Sequence, residues 1–427
     1  MKTAHASART PRLRRLCRLA IICAAAFAAS GCAPDARWIM FRGEKNQGYT
    51  RESISPPLGI KWKLKLQDQP GRDRNFNPPI VVDNTVFFGS PDSNFYALDI
   101  QSGYMRWVFK TRAPINSIPY ADAKNVYFGS SDGNIYAVDQ KTGEKVWDYD
   151  TGHQVNSTII GYKDMIVFTS DVGASHFFSP EGIELHRIPN PVWLSHSFQI
   201  TDGKMYFAPG PPENPHSFGV YDIEKQQYLW GIDTYEDGPT WYSFPAIKGG
   251  ILHYATVTRY VDTWEYRFYG LDKNNGGLLW EQTEYSEVFP FEGLTVYRMW
   301  RENLELLDHL APALWKNLVI YSRGDQVVEA FKGKSGDLAW RKEFLQPISS
   351  SPIIAGDRVY LGLRGSPDED VAEKPVPSLL VCLSARTGKE LWSMETDGDI
   401  LSAPVIAGRW IIFGTDNHYF YVLEEVL

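Results

Sequence analysis

The stretch Val126-Tyr127-Phe128-Gly129-Ser130-Ser131-Asp132-Gly133-Asn134-Ile135-Tyr136-Ala137-Val138-Asp139-Gln140-Lys141-Thr142-Gly143-Glu144-Lys145-Val146-Trp147 decides the fold. Its opening run is apolar and stops at a Ser-Ser-Asp-Gly turn. Residues 134–139 then alternate between two faces, and Lys141-Thr142-Gly143-Glu144 makes a tight turn in which glycine can take positive φ. Residues 145–149 read as a further strand. The period inside the runs is two, so the elements are strands. Forty residues earlier the same text reads Val86-Phe87-Phe88-Gly89-Ser90, Asp92, Tyr96-Ala97-Leu98-Asp99, Gly103 and Trp107.

Working outward, weaker copies end at Trp230, at Asp272, Gly276 and Trp280, at Gly336 and Trp340, and at Gly388 and Trp392. Glycine stands four residues before tryptophan at 103, 143, 276, 336 and 388. One degraded copy keeps Gly182 but has His186 in the tryptophan position, which reads as a substituted packing residue. Four-stranded units repeating every forty residues or so fit propeller blades, each of which buries its faces only against its neighbours. The tryptophan positions 62, 107, 147, 186, 230, 280, 340 and 392 bound seven complete repeats. After Trp392 the chain makes strands near 401–406, 410–414 and 419–423 and stops; the missing outer strand is 60–66, around Trp62. The fold class is therefore all-β, an eight-bladed β-propeller of four-stranded antiparallel blades closed by an N-terminal strand. Seven blades is the second choice, because the copy ending at His186 is faint. Closure also removes sheet edges that invite aggregation.

The chain has 427 residues, a formal charge of −8 and an apolar fraction of 43%, enough for a real core. No Lys/Arg cluster lies beyond residue 18, so a nucleic-acid partner is not expected. Lys2, Arg9, Arg12, Arg14, Arg15 and Arg18 precede an apolar run at 19–27 and then Ala28-Ala29-Ser30-Gly31-Cys32. A cationic start, a short apolar run and small residues describe a signal peptide, here 1–31. Nine apolar residues are too few for a membrane span. The Ala29-Ser30-Gly31-Cys32 text resembles a bacterial lipobox, which implies cleavage before Cys32 and a lipid on its thiol. Ala33, rather than Asp, points by the same resemblance to the outer membrane. Cleavage would remove six cations and no acid, taking the charge to −14. Cys17 and Cys23 would leave with it, so Cys382 has no disulfide partner and reads as a small buried hydrophobe. The expected organisation is a lipid-anchored N-terminal segment at 32–59, then a propeller over 60–427 with an insertion at about 283–315. A short amphipathic helix is expected inside that insertion, near 294–310, and a solvated acidic loop at 364–375.

No phosphate loop, dinucleotide fingerprint, zinc-hydrolase motif or nucleophile elbow is present. Repeated Asp92/Asp132 and Asp99/Asp139 point to turn duties, since a catalytic group is expected once. The reading is of no catalytic residue, no metal and no cofactor. Trp241, Tyr242, Trp264, Tyr266, Tyr285 and Trp300 are the candidate binding surface, because aromatics are enriched at interface cores; ordinary packing between blades is the even alternative.

Ala97-Leu98-Asp99 with Gly103 and Trp107, residues 137–143 with Trp147, and Arg386-Thr387-Gly388 with Trp392 resemble the quinoprotein-like (PQQ-like) β-propeller repeat family. Trp38-Ile39-Met40-Phe41-Arg42-Gly43 with Gly48 is similar to the opening segment of its secreted members. The resemblance implies the fold and leaves function divided. One branch is the non-catalytic lipoprotein of the outer-membrane barrel-assembly machinery, which implies a periplasmic scaffold with protein partners in the cell envelope. The other is the quinone-dependent alcohol dehydrogenases, for which the resemblance implies an adjacent cysteine pair that this chain lacks. A carbohydrate- or peptide-binding module is the remaining alternative. The scaffold is the expected function.

Overall fold

In the computed structural model the described residues are 37–43, 45–66, 77–171, 173–190, 194–209, 218–232, 240–260, 263–287, 311–365 and 376–426. Strands form where the sequence alternates. In blade 1 they are Ile80–Val82, Thr85–Gly89, Asn94–Asp99 and Met105–Lys110, paired in that order from the inside outward. The inner strands carry apolar side chains on both faces and are fully buried. The outer one alternates between exposed and covered, because only one of its faces meets a neighbour. Blades 2 to 7 repeat the plan with inner strands at Tyr120–Ala121, Ile160–Tyr162, Leu194–Thr201, Ala246–Lys248, Ala313–Trp315 and Ile353–Ala355.

The eighth sheet closes the ring. Val405–Ala407, Trp410–Gly414 and Tyr419–Glu425 are completed by Leu58–Lys65, with Ile60 opposite Leu423, Trp62 opposite Val422 and Lys65 opposite Tyr419. Eight sheets among the described residues exclude the seven-bladed alternative. The inner strand of this blade starts at Val405 rather than near 401. Two blades carry a fifth strand that the pattern does not show: Thr240–Tyr242 pairs with Ile251–Arg259, and Tyr49–Thr50 lies parallel to Ile353–Ala355. Both flanks of the expected 283–315 insertion are strands, Leu278–Ser286 and Ala313–Trp315. The helix expected at 294–310, Trp300 and nearly all of the acidic loop lie outside the described residues, as do Cys32 and the signal peptide.

The repeat motif is the fastening between blades. Each tryptophan sits at a β-bulge of its outer strand. In five of them the indole N–H donates to a carbonyl in the third-to-outer turn of the next blade, whereas Trp230 lies on Gly276 with its indole N–H buried and without a partner among the described residues. Trp62 reaches Ile100 O at 2.8 Å, Trp107 reaches Gln140 O at 2.9 Å, Trp147 reaches Pro180 O at 2.8 Å, Trp280 reaches Gly333 O at 2.8 Å and Trp340 reaches Ala385 O at 3.0 Å. The ring then lies on the glycine of that turn, where φ is positive and a Cβ would collide with the indole. The repeated aspartates cap these turns. Asp99 Oδ1 accepts the Gln101 and Ser102 N–H groups, and Asp139 Oδ1 those of Lys141 and Thr142. Asp92 and Asp132 do the same at the second-to-third turns and accept the Tyr96 and Tyr136 hydroxyls.

At the joint between blades 3 and 4 both halves of the motif are replaced. His186 replaces tryptophan, and at the turn it faces by repeat equivalence Gln226 stands in the glycine position with φ of 54°. His186 Nε2 instead meets the Tyr221 hydroxyl at 3.0 Å, its ring parallel to that of Tyr221.

Candidate functional site

Among the described residues the inner-to-second and third-to-outer turns lie at one end of the ring, here the turn end; the second and outer strands finish at the other, the loop end. Three features of this frame bear on function.

The first is a hairpin that fills the middle. Trp38 pairs antiparallel with Val81, and Ala121 N donates to Ile39 O at 3.1 Å, so the chain rises from the turn end along blades 1 and 2. Phe41 reaches the start of the inner strands and packs edge-on against Phe244 at 5.2 Å. The Arg42 guanidinium, 1% exposed, donates to Ser351 Oγ at 2.9 Å and Pro312 O at 2.6 Å. The chain then returns: Gln47 binds Ile247 O and receives the Leu314 N–H, Gly48 O accepts from Ile354 N, and Tyr49–Thr50 runs down blade 7. Glu52 accepts the Gly408 N–H in the closing blade. Burial raises the Glu52 pKa, against that N–H bond. Sequence reading missed Arg42. The signal was Gly48, whose Cβ would stand 2.3 Å from Arg42 Nη2.

The second is an open cleft of about 410 Å³ at the loop end between blades 5 and 6, lined by Tyr285, Ser286, Arg323, Asp325, Gln326 and Arg341 among others. Arg323, 2% exposed, holds Asp325 Oδ2 at 2.9 Å and lies over the Tyr266 ring at 5.1 Å. Arg341 Nη1 bridges Glu329 Oε1 at 3.0 Å and Glu284 Oε2 at 3.3 Å. Burial raises the Glu329 pKa, against the pull of Arg323. These fixed charges and hydroxyls suit binding of a polar group. Among the described residues no cluster of three His, Cys, Asp or Glu could hold a metal.

Among the candidate aromatics whose side chains are described, Tyr285, 58% exposed, lies in this cleft. Trp264 and Tyr266, proposed as surface, are buried at 4% and 0%. The reason is strand length: Trp264–Asp272 and Leu278–Ser286 each run nine residues, so both rings face the packed interior of the blade. Trp241 and Tyr242 lie on the added strand beside Val257 and Thr256.

The third is an apolar rim at the turn end. Just after each third-to-outer turn the outer strand exposes an apolar residue: Met105, Val146, Leu185, Tyr228, Leu278, Leu338 and Leu391, with Ile60 in the closing blade. Each is 47–59% exposed. Among the described residues no helix is long and apolar enough to cross a membrane.

A family model described as outer membrane protein assembly factor BamB, of the PQQ_2 type, matches residues 59–175 and 267–373, just over half of the chain. The chain belongs to this PQQ_2 propeller-repeat family. No curated protein matches it. Among solved structures it is similar to BamB from Moraxella catarrhalis, at 12% identity and a TM-score of 0.59, covering 86% of this chain and 99% of that one. It is also similar to the quinohemoprotein alcohol dehydrogenase ADHIIG from Pseudomonas putida, at 15% identity and a TM-score of 0.64, covering 91% and 80%. A europium-containing methanol dehydrogenase matches at 13% identity and a TM-score of 0.62, covering 91% and 89%. At such identities the likeness is of fold, and PQQ_2 propellers of both kinds share it. The donor set here does not fit the quinone group of the dehydrogenases as the sequence resemblance describes it. Cys382 is the one cysteine among the described residues, fully buried, its thiol pushed up to about 11 by burial.

Proposed function

We propose that this protein is a lipid-anchored, non-catalytic scaffold on the periplasmic side of the outer membrane, binding protein partners that assemble outer-membrane proteins. The observation that carries this reading is the match of two long stretches, 59–175 and 267–373, to the assembly-factor family. The lipobox-like Ala29-Ser30-Gly31-Cys32 and a ring whose centre is filled by its own chain support it. The loop-end cleft beside Arg323 and Tyr285 is the site offered to a partner's polar side chains.

The test is affinity purification of the full-length protein from membranes. Co-purification of barrel-assembly components is the expected result, and their reproducible absence overturns the assignment. The quinone-dehydrogenase alternative predicts dye reduction with an alcohol after adding the quinone and calcium. Activity there would overturn the non-catalytic reading.

A further inference from the structure

The apolar rim and the path of the N-terminal segment meet at the same end of the ring. Trp38 runs antiparallel to Ile80–Val82, a strand that heads for the turn end, so Arg37 leaves the ring at that end. Only four residues lie between Cys32 and Arg37, which makes five steps along the chain. Fully extended they reach about 18 Å. An outer strand of six residues such as Met105–Lys110 spans about 20 Å, so the loop end lies a further strand-length away. A lipid on Cys32 would therefore lie within reach of the turn end, with the loop end a strand-length further from it.

The rim suits that position. Tyr104, Met105, Leu185, Tyr228, Leu278 and Leu338 are all more than half exposed. Scattered exposed apolar residues are ordinary, but these recur at one height around the whole ring. A protein partner engages an arc of such a ring, whereas a flat surface meets every blade. Exposed lysines stand between the apolar residues, among them Lys141, Lys225, Lys334 and Lys389, and long cationic side chains reach lipid headgroups while their stems cover apolar surface. Several acids at this end are engaged: Asp99, Asp139 and Asp222 accept turn N–H groups, and Glu224 pairs with Lys163, while Glu144, Glu181 and Glu390 stand exposed beside the rim.

We infer that the turn end is a membrane-contact surface, in which the apolar rim rests in the headgroup layer of the bilayer and the loop-end cleft is turned towards the aqueous side. The inference rests on the lipid-anchor reading of Cys32.

The test places an environment-sensitive fluorophore on Leu338→Cys or Leu391→Cys at the rim, and on Leu345→Cys at the loop end, where Leu345 is 96% exposed. Cys382 is fully buried and stays unlabelled. The acylated protein is bound to phosphatidylethanolamine–phosphatidylglycerol vesicles carrying headgroup nitroxides. The rim positions are expected to be quenched severalfold more than Leu345→Cys. In a second arm, Cys32→Ala protein with an N-terminal hexahistidine is held on nickel-chelating lipids in the same vesicles. Rim quenching there again supports the inference without the native lipid, and equal or reversed quenching overturns it. Mass spectrometry of the membrane-purified protein decides the anchor by itself: an unacylated Cys32 overturns that reading whatever the quenching shows. Leu338→Asp with Leu391→Asp distinguishes a protein-docking rim. Loss of a co-purified protein with no rim quenching in either arm overturns the membrane surface.

Discussion

The indole of Trp107 lies flat on Gly143 of the next blade. Its N–H donates to Gln140 O at 2.9 Å, and a Cβ built on Gly143 would stand 2.7 Å from Trp107 Cδ2. Gly143 has φ of 73°, and Gly152 has φ of 78° with no atom within 4 Å of its would-be Cβ. The pair separates two costs. Gly152→Ala meets only the left-handed backbone penalty, about 1 kcal/mol. Gly143→Ala adds displacement of the ring, and its cost is expected at about 2–4 kcal/mol. Urea midpoints of the two variants check this, and equal shifts would show that the indole contact carries nothing.

His186 and Gln226 depart from the motif together, as two sides of one joint should. His186→Trp puts a larger ring against a turn that has a side chain, and is expected to destabilise by about 1–3 kcal/mol. Adding Gln226→Gly supplies both the space and the backbone freedom, so the double variant should recover most of the loss. A double-mutant cycle reads the coupling, expected to exceed about 1 kcal/mol.

These joints explain what was legible in the sequence. Gly103, Gly143, Gly276, Gly336 and Gly388 recur because positive φ and the indole lying on the turn both disfavour a Cβ there, so the repeat and the blade number can be counted from text alone. Trp62 could be placed in the closing blade because it carries the same motif outside the array. The central hairpin was illegible by the same logic. Phe41 and Arg42 occur once, and their partners, Phe244, Pro312 and Ser351, lie hundreds of residues away. Trp264 and Tyr266 were misplaced because aromatic residues serve surfaces and cores alike, and strand length alone decided between them.

Arg42 gives a prediction specific to the hairpin. Arg42→Met keeps the stem but strands the Ser351 hydroxyl and the Pro312 carbonyl in a buried site, at about 1–3 kcal/mol for each unsatisfied group. Amide exchange should accelerate most at Leu314 and Ile354, whose N–H groups bond to Gln47 O and Gly48 O of the returning arm. Unchanged exchange at those two amides would mean that the arm holds its place without the guanidinium.

His253 sets an acid limit on stability. It is 3% exposed, and burial, with the nearby Lys248 charge adding to it, pulls its pKa down to about 3. An unfolded chain has a histidine of ordinary pKa, near 6.5, and therefore binds the proton that the folded ring refuses. The contribution of neutral His253 is complete above pH 6.5. It falls with a slope approaching about 1.4 kcal/mol per pH unit as the pH drops towards 3, and levels off below that. Burial lowers the His176 pKa too, although Glu184 opposes the shift. His253→Gln removes the titrating ring and keeps a polar group of similar size. Urea midpoints at pH 7, 5.5 and 4.5 should therefore fall more steeply for the wild type than for His253→Gln. Carboxylate protonation is common to both proteins, so the difference between the two slopes belongs to His253, and parallel slopes would show that this imidazole takes up its proton without unfolding the ring.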